Sequence, residues 1–210
     1  MPDILLHLLP HVVSSLLYAA LGFHFWHTRW REKERSLVTL PMQPWERAAI
    51  VVALLIQGFG LYQGVFAGGG MRFSFSYALS LMLWLAVLIY WLESFRSRMD
   101  GLQPMVLPLA AAGAAAPAIF PQLRVIGHAG GWGFMVHFLA AMLAYSLFTL
   151  SALHAVFMGF AERKLHQRSM TRSLSSLPPI LTMEALLFRM ITVAFCLLTV
   201  ALVSGVWFSE

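Results

Sequence analysis

The chain has 210 residues, of which 60% are hydrophobic and only 11% are charged. Soluble domains carry about 25% charged residues, so this composition excludes a water-soluble protein and predicts a single transmembrane domain over residues 1–210. The one cysteine, Cys196, lies inside an apolar run, which excludes a disulfide framework and a CxxC or CxxCH motif. The net charge of +5 comes from basic loops between apolar segments, a pattern that indicates membrane topology rather than nucleic-acid binding.

Six apolar segments predict six membrane-spanning helices and therefore an all-α integral membrane bundle. Each segment is bounded by charged residues, glycine or proline. The fourth is the least hydrophobic, and its AAAGAAAPA core is typical of a helix that packs closely between larger neighbours. The predicted spans are 4–26, 48–66, 76–92, 104–120, 132–160 and 187–207.

The distribution of basic residues predicts the orientation of the bundle. Eleven arginines and lysines fall between spans one and two, three and four, and five and six, whereas the opposite loops hold only Arg72 and Arg124. Because cytoplasmic loops of membrane proteins are enriched in Arg and Lys, both termini are expected outside, which is the periplasm of a Gram-negative cell. The expected location is the inner (plasma) membrane of a bacterial cell, with the chain in contact with the lipid bilayer.

The fifth span carries the candidate site. Residues 131–160 contain no Asp, Glu, Lys or Arg, yet they include His137 and His154. An ionisable group inside a membrane helix is costly and therefore indicates a function. His137 is followed one turn later by Ala140 and Ala141, and an imidazole beside such small side chains suits a flat, apolar, metal-bearing ligand. A hydrogen bond from His137 to a neighbouring helix is the alternative role.

Three other histidines are candidate second ligands of a metal bound by His137. His7 and His11, four residues apart, share a face of the first helix at the same expected depth, and His128 lies in the short outer loop before the fifth span. The alternative for these three is an interfacial or solvent-facing position. No HExxH motif or His and Cys cluster supports zinc hydrolase chemistry. The remaining histidines are expected to face solvent or lipid headgroups: His24, His27, His154 and His166.

Five short stretches follow the pattern of a known family. They are MVHF at 135–138, LAYS at 143–146, LPPILTME at 177–184, ALSL at 78–81 and SGVW at 204–207. The first two resemble the histidine-bearing helix of the cytochrome c assembly protein family (CcsA/CcmC-like). The likeness is greatest to its short inner-membrane branch of YpjD- and HemX-like proteins, and this chain ends before the last helices of that branch.

This resemblance implies a haem-handling bundle in cytochrome c-type biogenesis. It implies that His137 is an axial ligand of haem b near the outer face, with His11, His7 and His128 as the outer-side candidates for the second position. The implied partners are haem and other cytochrome c assembly proteins. An enzymatic activity is not expected, because the thiols of the apocytochrome itself form the thioether bonds.

Three departures from the family pattern leave an alternative function open. The tryptophan-rich WWD loop is absent, and the later helices that carry the second outer histidine of relatives are not in this sequence, so this second ligand is missing. In addition, Gln57 stands where relatives of this branch often have a histidine. A neutral amide at this depth most simply bridges two helices. The alternative is therefore a cofactor-free accessory or stabilising subunit of another membrane protein, such as a metal-ion transporter.

Overall fold

The computed structural model describes residues 2–31, 42–66, 72–96, 101–121, 124–125, 132–167 and 180–207. Five of the helices in these ranges are long and apolar enough to cross a membrane, and the fourth is shorter, with 17 residues. The predicted all-α membrane bundle is confirmed. The helices are α1 (Pro2–Phe25), α2 (Pro44–Phe66), α3 (Phe75–Glu93), α4 (Gln103–Ile119), α5 (Trp132–Gln167) and α6 (Ile180–Trp207).

Several helix ends differ from the predicted spans. α2 begins at Pro44 rather than at 48, because proline is favoured in the first turn, where its missing N–H costs no hydrogen bond. α5 continues to Gln167, and α6 begins at Ile180 rather than at 187. Polar residues extend α5 beyond its apolar part, whereas the added first turns of α6, ILTMEAL at 180–186, are mostly apolar. α1 continues into a π-helical turn, Trp26–Arg31.

Helices α1 to α4 form a ring, in which α1 and α3 each pack against both α2 and α4. Large side chains fill its centre, and α4 contributes small ones, as its composition predicted. The close packing of α4 between α1 and α3 is therefore confirmed. Buried members of this core include Tyr18, Phe25, Ile50, Val87, Tyr90 and Leu107, together with Ala110, Ala111 and Ala114 of α4.

Helices α5 and α6 form an antiparallel hairpin, and α5 joins this hairpin to the ring chiefly through α3. Buried residues recur at alternating spacings of four and three on α5, and at spacings of three, four, four and seven on α6, which is typical of helices that pack side by side. Ala144 and Ala194 are both fully buried and lie level with each other in this register, so the two backbones approach closely. The buried seam is formed by Ala140, Ala144, Leu147, Ser151 and His154 on α5 and by Met183, Leu186, Met190, Ala194 and Ala201 on α6.

The bundle has two ends, which differ in charge. The terminal end is the one where α1 begins and α6 ends, and the basic end is the opposite one, where Arg29 and Arg47 lie. At the terminal end, the two-residue strands β1 (Arg72–Phe73) and β2 (Arg124–Val125) pair antiparallel. This ladder joins the α2–α3 connection to the α4–α5 connection and brings the two arginines of these loops into one element.

We expect Ala144→Leu to destabilise the hairpin by about 1–3 kcal/mol, because the larger side chain overpacks a fully buried position. The measurement is the midpoint of thermal unfolding in detergent. The matched control is Ala152→Leu, at an exposed position of the same helix. Equal midpoints for the two variants would contradict a close-packed seam.

Candidate functional site

His137 lies in the second turn of α5, at the terminal end, and its half-exposed ring rests on α6. Its Nδ1 atom lies 2.8 Å from the carbonyl oxygen of Ala201 and 3.2 Å from Oγ of Ser204. A Cβ atom added to Gly205 would lie 3.0 Å from Cε1 of the ring. The imidazole is therefore packed directly against the backbone of the neighbouring helix, as the interhelical alternative predicted.

The partners of Nδ1 decide where the proton of the ring lies. A carbonyl oxygen only accepts hydrogen bonds, so Nδ1 must donate its N–H to Ala201. The hydroxyl of Ser204 donates to the same carbonyl at 3.0 Å, so its oxygen faces Nδ1 as an acceptor. A neutral imidazole carries one N–H, and the lone pair therefore lies on Nε2.

The Nε2 atom of His137 is open to a ligand. In the part of the chain that the structure describes, it has no hydrogen-bond partner and is not buried. Histidines that bind metals in proteins characteristically donate their other ring N–H to a carbonyl or carboxylate, which fixes the ring and raises its basicity. The Nδ1–H group of His137 is bonded to the carbonyl oxygen of Ala201 in this same way.

The surface around His137 is apolar. Phe134 and Phe138 flank it along α5, with ring centroids 6.2 Å apart and ring planes at 11°. Ala140 and Ala144 are buried in the seam, so of the small residues predicted beside the ring only Ala141 remains half-exposed. Other exposed apolar side chains occur at the same end of both helices: Trp132, Met135, Val136 and Leu139 on α5, and Leu202, Val203 and Val206 on α6.

His154 also donates a hydrogen bond to a backbone carbonyl of α6, but it does so through Nε2 rather than Nδ1. Its Nε2 lies 3.1 Å from the carbonyl oxygen of Met183, so Nε2 carries the proton and the lone pair lies on Nδ1. The residue is only 2% exposed, and its Nδ1 is buried. The expectation that His154 faces solvent or headgroups is wrong. It fastens the basic end of α6 to α5 and presents no accessible nitrogen.

Among the described residues, no contact joins a candidate second ligand to His137. His11 is 1% exposed and lies among α1, α2 and α3, where a Cβ atom at Gly60 would be 3.3 Å from its Nε2. Its ring meets that of Tyr77 edge-on, with centroids 5.6 Å apart. Only the backbone of His7 is described, and His128 lies outside the described residues. A second ligand from these three stays a prediction.

A family model described as "Cytochrome C assembly protein" matches residues 45–210, which is more than half of the chain. The chain belongs to the cytochrome c assembly protein family. The match includes His137 and the α6 residues that contact it, whereas α1, with His7 and His11, precedes it. No curated protein and no solved structure matches the chain. The resemblance is thus confirmed at the level of the family, and the branch within it stays a prediction.

In this family member, Gln57 joins two helices of the ring, as predicted. Its Nε2 donates to the carbonyl oxygen of Ser80 at 3.2 Å and to Oγ of the same residue at 3.0 Å. Gln57 and Ser80 are both fully buried. The amide therefore ties α2 to α3.

A buried carboxylate at the basic end was missed by the sequence analysis. Glu46 is 3% exposed and accepts hydrogen bonds from His24 Nε2 at 3.0 Å and Arg29 at 3.1 Å. It also accepts from the backbone N–H of Gln43 at 2.7 Å, which is the bond that a Glu in the third position of a helix makes to the residue before the helix. His24 is thus half-buried and bonded rather than solvated, while His27 is exposed, as expected.

We expect Glu46→Ala to lower the free energy of unfolding by about 3 kcal/mol, because the cationic Arg29, only 8% exposed, loses this carboxylate. Denaturation in mixed micelles measures the loss. Glu184→Ala, at an exposed acidic position in α6, is the control and should change little. Similar losses in both variants would show that the cluster does not stabilise the basic end.

Proposed function

We propose that the protein handles haem in cytochrome c maturation and that His137 holds the haem iron through Nε2. Membership of the family supports a role in cytochrome c maturation. The observation that carries the finer proposal is the bond from Nδ1 to Ala201, which leaves the Nε2 lone pair open at an apolar surface.

The residues around His137 fit haem as a ligand. Neutral imidazole is a common axial ligand of haem iron. When bound, the haem group would supply the iron that the imidazole coordinates. The flanking rings of Phe134 and Phe138 and the half-exposed Ala141 offer apolar surface to a flat macrocycle. Burial of such surface is favourable in proportion to its area. The chain itself would bind and orient haem, and it needs no bond-breaking group.

The charge distribution supports an outward-facing site. Under the positive-inside rule, the basic end lies in the cytoplasm and the terminal end in the periplasm of a bacterial inner membrane. Haem bound by His137 would then be held near the outer face, where an assembly partner could receive it.

A second candidate function is an accessory subunit without a cofactor. The observation that favours it is His154, which shows that a histidine in α5 can serve only to fasten α6. If His137 had the same role, the protein would stabilise a membrane partner, such as a transporter, and bind no haem.

Haem titration of the detergent-purified protein separates the two functions. We expect close to one haem per chain, counted by pyridine haemochrome, and a Soret band that sharpens on reduction. Loss of a group that hydrogen-bonds to a metal ligand weakens metal binding by about 10- to 100-fold. His137→Ala removes the ligand itself and should weaken haem binding by more than this. His154→Ala is the matched control and should keep haem while the unfolding temperature falls. A wild-type protein that stays colourless would instead support the accessory function.

The second axial ligand can be sought in the same preparation. Replacing the true ligand among His7, His11 and His128 by alanine should convert a low-spin, six-coordinate spectrum into a high-spin one. Electron paramagnetic resonance of the oxidised protein measures this change. A low-spin spectrum that survives all three single replacements would exclude these residues as the second ligand.

A further inference from the structure

We propose that Ser204 and Gly205 of α6 are positioning residues that hold His137 as its Nδ1–H tautomer and thereby decide which nitrogen it presents. The use of that nitrogen for haem rests on the proposed function. The tautomer itself is a property of the protein without haem, so the two can fail separately.

The hydroxyl of Ser204 lies beside the hydrogen bond between His137 and Ala201. It donates to the carbonyl oxygen of Ala201 at 3.0 Å, which turns its own oxygen toward Nδ1 as a second acceptor at 3.2 Å. Nδ1 of His137 thus faces two acceptors in this arrangement, and the carbonyl oxygen, which can only accept, requires a proton on Nδ1. In the opposite tautomer, the Nδ1 lone pair would face the Ala201 carbonyl at 2.8 Å. Little water is present at membrane depth to compensate for this lost bond.

Gly205 leaves the space that the His137 ring occupies against α6. A Cβ atom at this position would lie 3.0 Å from Cε1 and 3.4 Å from Nδ1 of His137, so an alanine would push the ring outward and lengthen both bonds. Glycine is less favourable than alanine inside a helix, and its presence there generally has a packing reason. Here the reason is the imidazole ring, which needs direct access to the backbone of α6.

The other histidine of α5 provides an internal comparison. His154 also donates to a carbonyl of α6, that of Met183, but it does so through Nε2. The residues three and four positions after Met183 are Leu186 and Leu187, where the His137 site has Ser204 and Gly205 after Ala201. The Nδ1 mode of binding therefore coincides with the hydroxyl and the glycine. The Nε2 mode occurs where both are replaced by leucine.

The experiment reads the tautomer directly, in protein without haem. Protein labelled with ¹⁵N in its histidine rings is placed in nanodiscs, and a long-range ¹H–¹⁵N correlation spectrum assigns the protonated nitrogen. His137→Ala identifies the signals. We expect Nδ1–H for His137 in the wild type, and a mixture of both tautomers in Ser204→Ala and Gly205→Ala. Ser204→Thr keeps a hydroxyl and should restore Nδ1–H.

Two controls make the result specific. Thr199→Ala removes an exposed hydroxyl of α6 that bonds back to Phe195 at 2.9 Å, and it should leave the His137 signals unchanged. The signals of His154 in the same spectra must keep the Nε2–H pattern, which certifies that each variant is folded. An Nε2–H tautomer of His137 in the wild type, or a His137 tautomer that neither Ser204→Ala nor Gly205→Ala alters, would overturn the proposal.

The same variants test the link to haem. Ser204→Ala and Gly205→Ala should weaken haem binding by about 10- to 100-fold, with Ser204→Thr near the wild type, as for outer partners of other metal ligands. Unchanged haem affinity despite an altered tautomer would overturn the positioning role toward haem. If the wild type binds no haem, the proposed function fails, and the spectra of the haem-free protein still decide the tautomer.

Discussion

The bundle depends on one constraint, namely that a polar side chain inside a membrane must find its hydrogen-bond partner within the protein. In this chain the partner is repeatedly the backbone carbonyl of the adjacent helix, which has a second lone pair to offer. Most helix contacts that build the fold contain such a bond. They are Ser15 to Ala111 between α1 and α4, Trp84 to Leu54 between α3 and α2, Ser76 to Phe120 at the end of α4, Ser146 to Met82 between α5 and α3, and the two histidine bonds between α5 and α6.

The candidate site arises from the same constraint. Each histidine of α5 meets this requirement with one ring nitrogen. The choice of nitrogen determines whether the lone pair on the other nitrogen is buried or accessible. His154 uses Nε2 and keeps a buried lone pair, so it contributes to packing alone. His137 uses Nδ1 and keeps an accessible one. A single hydrogen bond thus fastens the terminal end of α6 and leaves the other nitrogen of His137 unbonded, so the geometry of the candidate site depends on helix packing.

Hydropathy and charge were sufficient to predict the six helices, the close packing of α4 and the bridging role of Gln57. These features depend on local composition, or on one polar group in an apolar segment. The roles of the histidines depend instead on distant residues. The nitrogen that His137 presents depends on its contacts with Ala201, Ser204 and Gly205 of α6. The burial of His11 depends on the space that Gly60 of α2 leaves. The Glu46 cluster had a local signal, the spacing from Gln43 to Glu46, but its pairing with Arg29 requires the π-helical turn.

The attachment of the hairpin has a mechanical consequence. Because α5 packs chiefly on α3 and α6 packs on α5, the hairpin is attached to the ring mainly along α3, and an ion pair between Arg189 of α6 and Glu93 of α3 adds to this attachment. Among the described residues, the groups that contact the His137 ring on α6 are Ala201, Ser204 and Gly205, which belong to the hairpin. A rigid tilt about α3 would therefore change the depth of Nε2 in the bilayer while leaving the bonds of Nδ1 intact.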